Sequence, residues 1–179
     1  PANSLYAANE DTGSAWASRS FPDNDGGNIY DVIRDISPPN FNYRGETPSA
    51  YQNTYFKGSN GSEDDWRDLM GMLEVMGENQ TGTFTTARAR EVINVEQWLR
   101  HLAVMSLFGN NETGLNTGYN DDYSLYRGQN DPRFILVYHD LDTVLGFGSR
   151  ASSDGIFSAT AGVTGSGAAM NFFMHHPEI

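Results

Sequence analysis

Apolar residues recur at intervals of three and four along residues 62–77, and this spacing predicts an amphipathic helix. Ser62 suits the N-cap position, and Gly77 suits the end of the helix. The buried face is expected to hold Trp66, Leu69, Met70, Leu73 and Met76. A helix with one apolar face needs a partner surface, so this element is expected to pack in a core.

A second strong helix is predicted over residues 94–108, with Asn94 as its N-cap and Gly109 after its last turn. Its apolar face contains Val95, Trp98, Leu99, Leu102, Ala103 and Ser106. That assignment places His101 at the surface or at the boundary of the core. Residues 85–93 carry a weaker pattern that predicts a short helix.

Three segments have the alternation and the β-prone residues of strands. They are residues 29–33, 122–127 and 133–138, and the last two are separated by the turn sequence Gly-Gln-Asn-Asp-Pro at residues 128–132. The sequence therefore predicts an α+β fold in which a β-hairpin stands beside a helical core. Residues 146–169 are rich in Gly, Ser and Ala and predict a flexible loop.

Composition excludes several classes of function. The chain has 179 residues, 11 basic and 23 acidic residues and a formal net charge of −12, so nucleic acid and anionic membranes would be repelled. It has no cysteine, which excludes disulfides and thiolate chemistry. No apolar run approaches the length of about 18 residues needed for membrane insertion.

Carboxylates gather around the predicted hairpin. Asp122 begins its first strand and Asp140 follows its second, and the two ends of an antiparallel hairpin lie side by side. Further acids in the neighbourhood are Glu112, Asp121 and Asp142. Two interpretations stay open: a solvated acidic loop, or a site for Mg²⁺, Ca²⁺ or Mn²⁺, whose preferred ligands are carboxylate oxygens.

The same residues resemble a known family. Residues 121–128, Asp-Asp-Tyr-Ser-Leu-Tyr-Arg-Gly, and residues 134–146, which include Tyr-His-Asp-Leu-Asp, resemble the CotH family of spore-coat protein kinases and their secreted relatives. In that family a segment like Asn-Tyr-Tyr-Leu-Tyr precedes a strand and then Pro-Trp-Asp-x-Asp/Asn. Residues 27–30, two stretches within residues 55–69, and residues 95–103 agree with it in the same order.

The resemblance implies a partial atypical protein-kinase-like fold that transfers the γ-phosphoryl group of ATP, with magnesium, to a Ser or Thr hydroxyl of a protein substrate. By position, Asp140 matches the family's metal-binding Asp, and Asp142 matches the Asp or Asn beside it. Glu112 falls where the catalytic loop usually has Asp, and Asp122 falls where an Asn usually helps to bind the second metal. The resemblance thus implies Glu112 and Asp140 as catalytic residues, with Asp122, Asp140 and Asp142 holding metal and nucleotide.

Some features depart from the family pattern. Glu112 is longer than Asp, and Asp122 adds a charge that Asn lacks. No match to the family's small lobe or to its phosphate-binding lysine is visible, since the single lysine, Lys57, lies in sequence like that of the large lobe. Residues 1–179 are therefore expected to form one partial domain, with a small lobe N-terminal to it.

These departures leave an alternative function open. The chain would then be a non-catalytic secreted surface or adhesion module with a structural or vestigial metal site. In both cases the family implies an extracellular location or one at the cell or spore surface.

Overall fold

The structure, a computed structural model, describes residues 11–33, 41–77, 83–110, 121–138, 140–141, 144–145, 173 and 176–179. Helices and strands within these ranges form an α+β fold, as predicted. The helices are α1 (Ser14–Ser20), α2 (Arg67–Gly77), α3 (Thr86–Val92) and α4 (Val95–Phe108). The strands are β1 (Asn28–Val32), β2 (Tyr55–Lys57), β3 (Tyr123–Arg127) and β4 (Ile135–Tyr138). No helix in these ranges is long and apolar enough to cross a membrane.

The strands form one antiparallel sheet in the order β2-β1-β3-β4. Tyr30 of β1 lies opposite Leu125 of β3, and Leu125 lies opposite Leu136 of β4. The predicted hairpin is thus present and is extended by two further strands. Strand β2 was not predicted, because it has only three residues and is too short to show an alternating pattern.

The two faces of the sheet are covered differently. One face packs on α2 and α4 in a core that contains Tyr30, Tyr123 and Leu125. The other face carries Ile29 and Tyr126, which pack with Ala17, Trp16 and Phe21 in and beside α1. Helix α1 was not predicted, because this seven-residue helix buries only Ala17 fully and so has no apolar periodicity to detect.

Helix α2 begins later than predicted, and Ser62 is not its N-cap. The residues before Arg67 form a loop that Lys57 holds from inside, because its buried Nζ donates to the carbonyl oxygens of Glu63 and Asp65 at 3.1 and 2.9 Å. The Asp65 carboxylate accepts the backbone N–H of Arg67. Lys57, which lies outside the predicted helix, thus holds the residues before Arg67 in a loop, and a local sequence pattern does not reveal this contact.

Helix α4 begins and ends as predicted. The Asn94 side chain accepts the N–H of Gln97, and Gly109 follows the last turn in a left-handed conformation with φ of 70°. The prediction for His101 is wrong, because only 6% of this residue is exposed. It lies three residues after Trp98 and four before Met105, both buried, so it shares the spacing of the core positions.

The turn between β3 and β4 is held by Asn24, a residue far away in the sequence. The Asn24 side chain accepts the N–H groups of Asn130 and Asp131, and the hydroxyl of Tyr126 donates to the Asn24 carbonyl. A Cβ at Gly128 would lie 1.9 Å from Asn24 Nδ2, so any other residue there would displace the side chain that holds the turn. The predicted flexible loop, residues 146–169, lies outside the described residues.

Candidate active site

The register of the hairpin determines where its acids lie. Tyr123 at the start of β3 pairs with Tyr138 at the end of β4. Asp122 comes one residue before this pair along the chain, and Asp140 comes two residues after it. Both acids are therefore at the same end of the hairpin, as the sequence predicted from antiparallel pairing.

The two acids differ in environment and backbone. Asp122 is 7% exposed, whereas Asp140 is exposed. Strand alternation would send these two side chains to opposite faces of the hairpin. Asp140, however, has φ of 48°, a left-handed conformation in which the chain leaves the strand. The exit from β4 therefore sets the direction of the Asp140 carboxylate.

The other two predicted site residues, Glu112 and Asp142, lie outside the described residues. In the described part of the chain, no group of three or more His, Cys, Asp or Glu residues is placed to hold a metal ion. Asp122 and Asp140 are thus the described members of the predicted set, and the metal-binding and catalytic roles stay predictions.

Helix α4 closes the outer edge of β4 in the region of these acids. The Gln97 amide donates to the carbonyl of Leu136 at 2.7 Å and accepts the Leu136 N–H at 2.9 Å. The indole of Trp98 donates to the carbonyl of Phe134 at 3.0 Å. These side chains supply the hydrogen bonds that a fifth strand would make, so the sheet edge is blocked as far as Leu136.

Beyond Leu136 the edge opens into a cavity of about 690 Å³. Its walls come from α4, β4 and the α1 region, and they include His101, Tyr138 and Asp140. The ring centroids of His101 and Tyr138 are 6.0 Å apart. Burial lowers the pKa of His101 to about 4, so its imidazole is neutral at pH 7. His101 was not among the predicted site residues, although its spacing from Trp98 and Met105 is a signal for burial.

Two basic residues of the described part of the chain, Lys57 and Arg100, bear on whether this site could bind phosphate. Lys57, the only lysine of the chain, is buried with its ammonium group on two backbone carbonyls, so it holds a loop and does not face the cavity. Arg100 is the basic residue among those that line the cavity. Lys57 thus holds the loop before α2 through these two backbone carbonyls.

Three partly buried hydrogen bonds to two carboxylates, those of Asp31 and Asp68, fix the strands that carry the site. The Ser124 hydroxyl donates to the Asp31 carboxylate at 2.6 Å, which ties β3 to β1 on the α1 face. On the opposite face, the Tyr30 hydroxyl donates to Asp68 at 2.6 Å, and the Asn28 amide donates to the same carboxylate at 2.8 Å. Burial, followed by the charge of Asp68, raises the pKa of Tyr30. The Asp68 carboxylate thereby joins α2 to β1.

The chain was also compared with known proteins. A family model described as CotH kinase protein matches residues 5–174 of the 179 residues. No curated protein matches the chain. The matched range includes β1 to β4, α1 to α4 and all four predicted site residues.

Proposed function

Since the chain belongs to the CotH kinase protein family, we propose that the intact protein transfers the γ-phosphoryl group of ATP to a Ser or Thr hydroxyl of a protein substrate. One observation carries the proposal within the fold: the hairpin register brings Asp122 and Asp140 to one end, and Asp140 also lines the cavity. Phosphoryl transfer depends on positioning and charge neutralisation, which paired acids with a metal provide.

The chemistry of these residues fits magnesium. Mg²⁺ is usually bound through one or two carboxylates, together with water and the phosphates of the substrate. Asp122 and Asp140 would supply the two carboxylates, and Asp142 is proposed as a further ligand. The bound ion would offset negative charge on the phosphates, which a chain of net charge −12 cannot do alone.

The proposed transfer forms one bond and breaks one. The acceptor hydroxyl oxygen attacks the γ-phosphorus, the bond from that phosphorus to the β,γ-bridging oxygen breaks, and ADP leaves with the electron pair. Glu112 is proposed to take the hydroxyl proton, in the manner of the catalytic-loop acid of kinases. Asp140 is proposed to position the metal-bound phosphates, and it takes no proton.

The proposal is tested by transfer of labelled phosphate from ATP to a protein substrate, with the full-length protein. Asp140→Asn is expected to reduce transfer about a hundredfold or more while the protein stays folded, because it removes one charge at the metal. Asp64→Asn is the matched control, since Asp64 is exposed and lies in the loop before α2. Equal transfer by the wild type and by Asp140→Asn would exclude a catalytic role for Asp140.

The alternative is a non-catalytic surface or adhesion module. It predicts that the wild type transfers no labelled phosphate, and that the two variants do not differ from it. For either function we propose an extracellular location or one at the cell or spore surface. Detection of the native protein in the culture medium or on intact cells tests this location.

A further inference from the structure

The chain contains one Asn-Gly pair, Asn60-Gly61, in the loop that follows β2. Asn60 has φ of 50°, a left-handed conformation that asparagine tolerates better than most residues. Its side-chain nitrogen Nδ2 donates to the carbonyl oxygens of Gly26 and Gly27 at 3.3 and 3.1 Å and to Oδ1 of Asn28 at 3.0 Å. One amide group thus joins the loop after β2 to the residues that lead into β1.

The neighbouring contacts determine which end of the Asn60 amide points toward these oxygens. Nδ2 of Asn28 donates to the carboxylate of Asp68 at 2.8 Å, and an ionised carboxylate only accepts hydrogen bonds. The oxygen of the Asn28 amide is therefore the atom that faces Asn60, and the two backbone carbonyls are acceptors as well. Only the nitrogen end of the Asn60 amide fits against three oxygens. A carboxylate in its place would bring negative charge against all three.

Asparagine followed by glycine is also chemically labile, because glycine has no side chain to shield its backbone nitrogen. That nitrogen can attack Cγ of the asparagine. A bond then forms between these two atoms, the bond from Cγ to Nδ2 breaks, and ammonia leaves with the electron pair and the proton of the attacking nitrogen. Water opens the resulting succinimide ring at either carbonyl, which gives aspartate or isoaspartate.

We propose that Asn60 is a deamidation site, that the folded protein protects it, and that its conversion weakens the fold. The three hydrogen bonds must open before Nδ2 can leave, so the reaction takes place in locally opened molecules. After conversion the contact cannot form again in the same way, because three acceptors would face a carboxylate. The Asn28 amide then loses the partner that connects it to the loop after β2. This reaction needs neither ATP nor magnesium, so it goes beyond the proposed phosphotransfer.

The first test measures the rate of conversion at Asn60 by peptide mass spectrometry, with the protein kept at mildly alkaline pH in buffer and in concentrated urea. The protein is made in a host without N-glycosylation, because residues 60–62 are also a glycan acceptor sequence. Conversion is expected to be at least about tenfold slower in the folded protein than in urea, since the loop contacts must open first. Equal rates in the two conditions, or no conversion in urea, would overturn the proposal.

Gly61→Ala is the matched variant for the chemistry. A Cβ at this position would lie 3.5 Å from the carbonyl oxygen of Lys57, an ordinary contact, so the variant should unfold at the temperature of the wild type. In urea it should deamidate about tenfold more slowly or less, because the added methyl group shields the attacking nitrogen. Equal rates for Gly61→Ala and the wild type in urea would show that this nitrogen is not the attacking atom and would overturn the proposal.

The second test measures the consequence for the fold. Asn60→Asp reproduces one product and should lower the unfolding temperature by about 4–10 °C, because the hydrogen bonds are lost and three acceptors face a charge. Asn53→Asp adds the same charge at an exposed position in the turn before β2 and should change it by less than about 2 °C. Equal unfolding temperatures for these two variants would overturn the proposal, whatever the rate of conversion.

Discussion

At the scale of single residues, His101 illustrates how burial changes the chemistry of a side chain. His101 lies on the buried face of α4, three residues after Trp98 and four before Met105. Burial lowers the pKa of His101 to about 4, from an ordinary value of 6.5. The folded state therefore keeps His101 neutral at pH values where the unfolded chain protonates it.

This difference predicts a pH-dependent stability. Between about pH 6.5 and pH 4 the unfolded state binds one more proton at this site, so the free energy of unfolding falls as the pH falls, by on the order of 3 kcal/mol over the whole window. Above pH 6.5 the stabilisation is complete. Urea unfolding of the wild type and of His101→Phe at several pH values measures the effect.

Carboxylates titrate near the same window, so the informative quantity is the difference between the two proteins. That difference should change by on the order of 3 kcal/mol between pH 7 and pH 4. A difference that stays constant with pH would mean that His101 is accessible to protons in the folded state.

At the scale of secondary structure, the contact between α4 and β4 depends on Gln97. Its amide completes the hydrogen bonding of Leu136, a buried residue on an edge strand. Without it, a backbone N–H and a carbonyl at the edge of the core would lose their partners. One side chain thereby joins the helix to the hairpin that carries Asp140.

Gln97→Ala is expected to lower the free energy of unfolding by about 1–3 kcal/mol, because it leaves these backbone groups unpaired. Gln52→Ala, at an exposed position in a turn, should change it by less than about 0.5 kcal/mol. Urea unfolding curves distinguish the two. Similar midpoints for both variants would contradict the assigned role of the Gln97 amide.

The ends and the middle of helices respond in opposite ways to the same substitution. Gly109 follows α4 with φ of 70°, so Gly109→Ala should destabilise the protein by about 1–2 kcal/mol. Gly71 lies within α2, and a Cβ there meets no atom within 4 Å. Gly71→Ala should therefore stabilise the protein by about 0.5–1 kcal/mol. Thermal unfolding should shift down for the first and up for the second, and two shifts of the same sign would contradict the assignment.

At the scale of the whole molecule, charge is the dominant feature. A net charge of −12 destabilises a compact chain through self-repulsion, and acids held at one end of a hairpin add to it. A divalent cation bound between Asp122 and Asp140 would relieve part of this repulsion. The proposed metal site thus has a consequence for stability that does not depend on catalysis.

Magnesium at tenfold its dissociation constant should stabilise the fold by about 1.4 kcal/mol, which raises the unfolding temperature by about 3–6 °C. Sodium chloride at equal ionic strength is the control for general screening. The double variant Asp122→Asn, Asp140→Asn should lose the specific part of the shift. Equal shifts with both salts in the wild type would argue against a magnesium site.

Much of this architecture could be predicted from the sequence, because it depends on local patterns. The 3.6-residue period and the caps defined α4, and alternation around a Gly-Pro-rich turn defined the hairpin. Antiparallel pairing then placed Asp122 and Asp140 at one end without any further information. The start of α2 and the presence of α1 were not predictable in this way, since Lys57 and the sheet face determine them.

The sequence by itself determined the α+β class, the family resemblance and the acids that stand at the hairpin end, because each depends on residue type and short spacing. Only the tertiary structure decided that Lys57 is buried on backbone carbonyls, that Gln97 closes the edge of β4, and that His101 faces a cavity. These features arise where elements distant in the chain come together, and the environment of a side chain there is set by its neighbours in space.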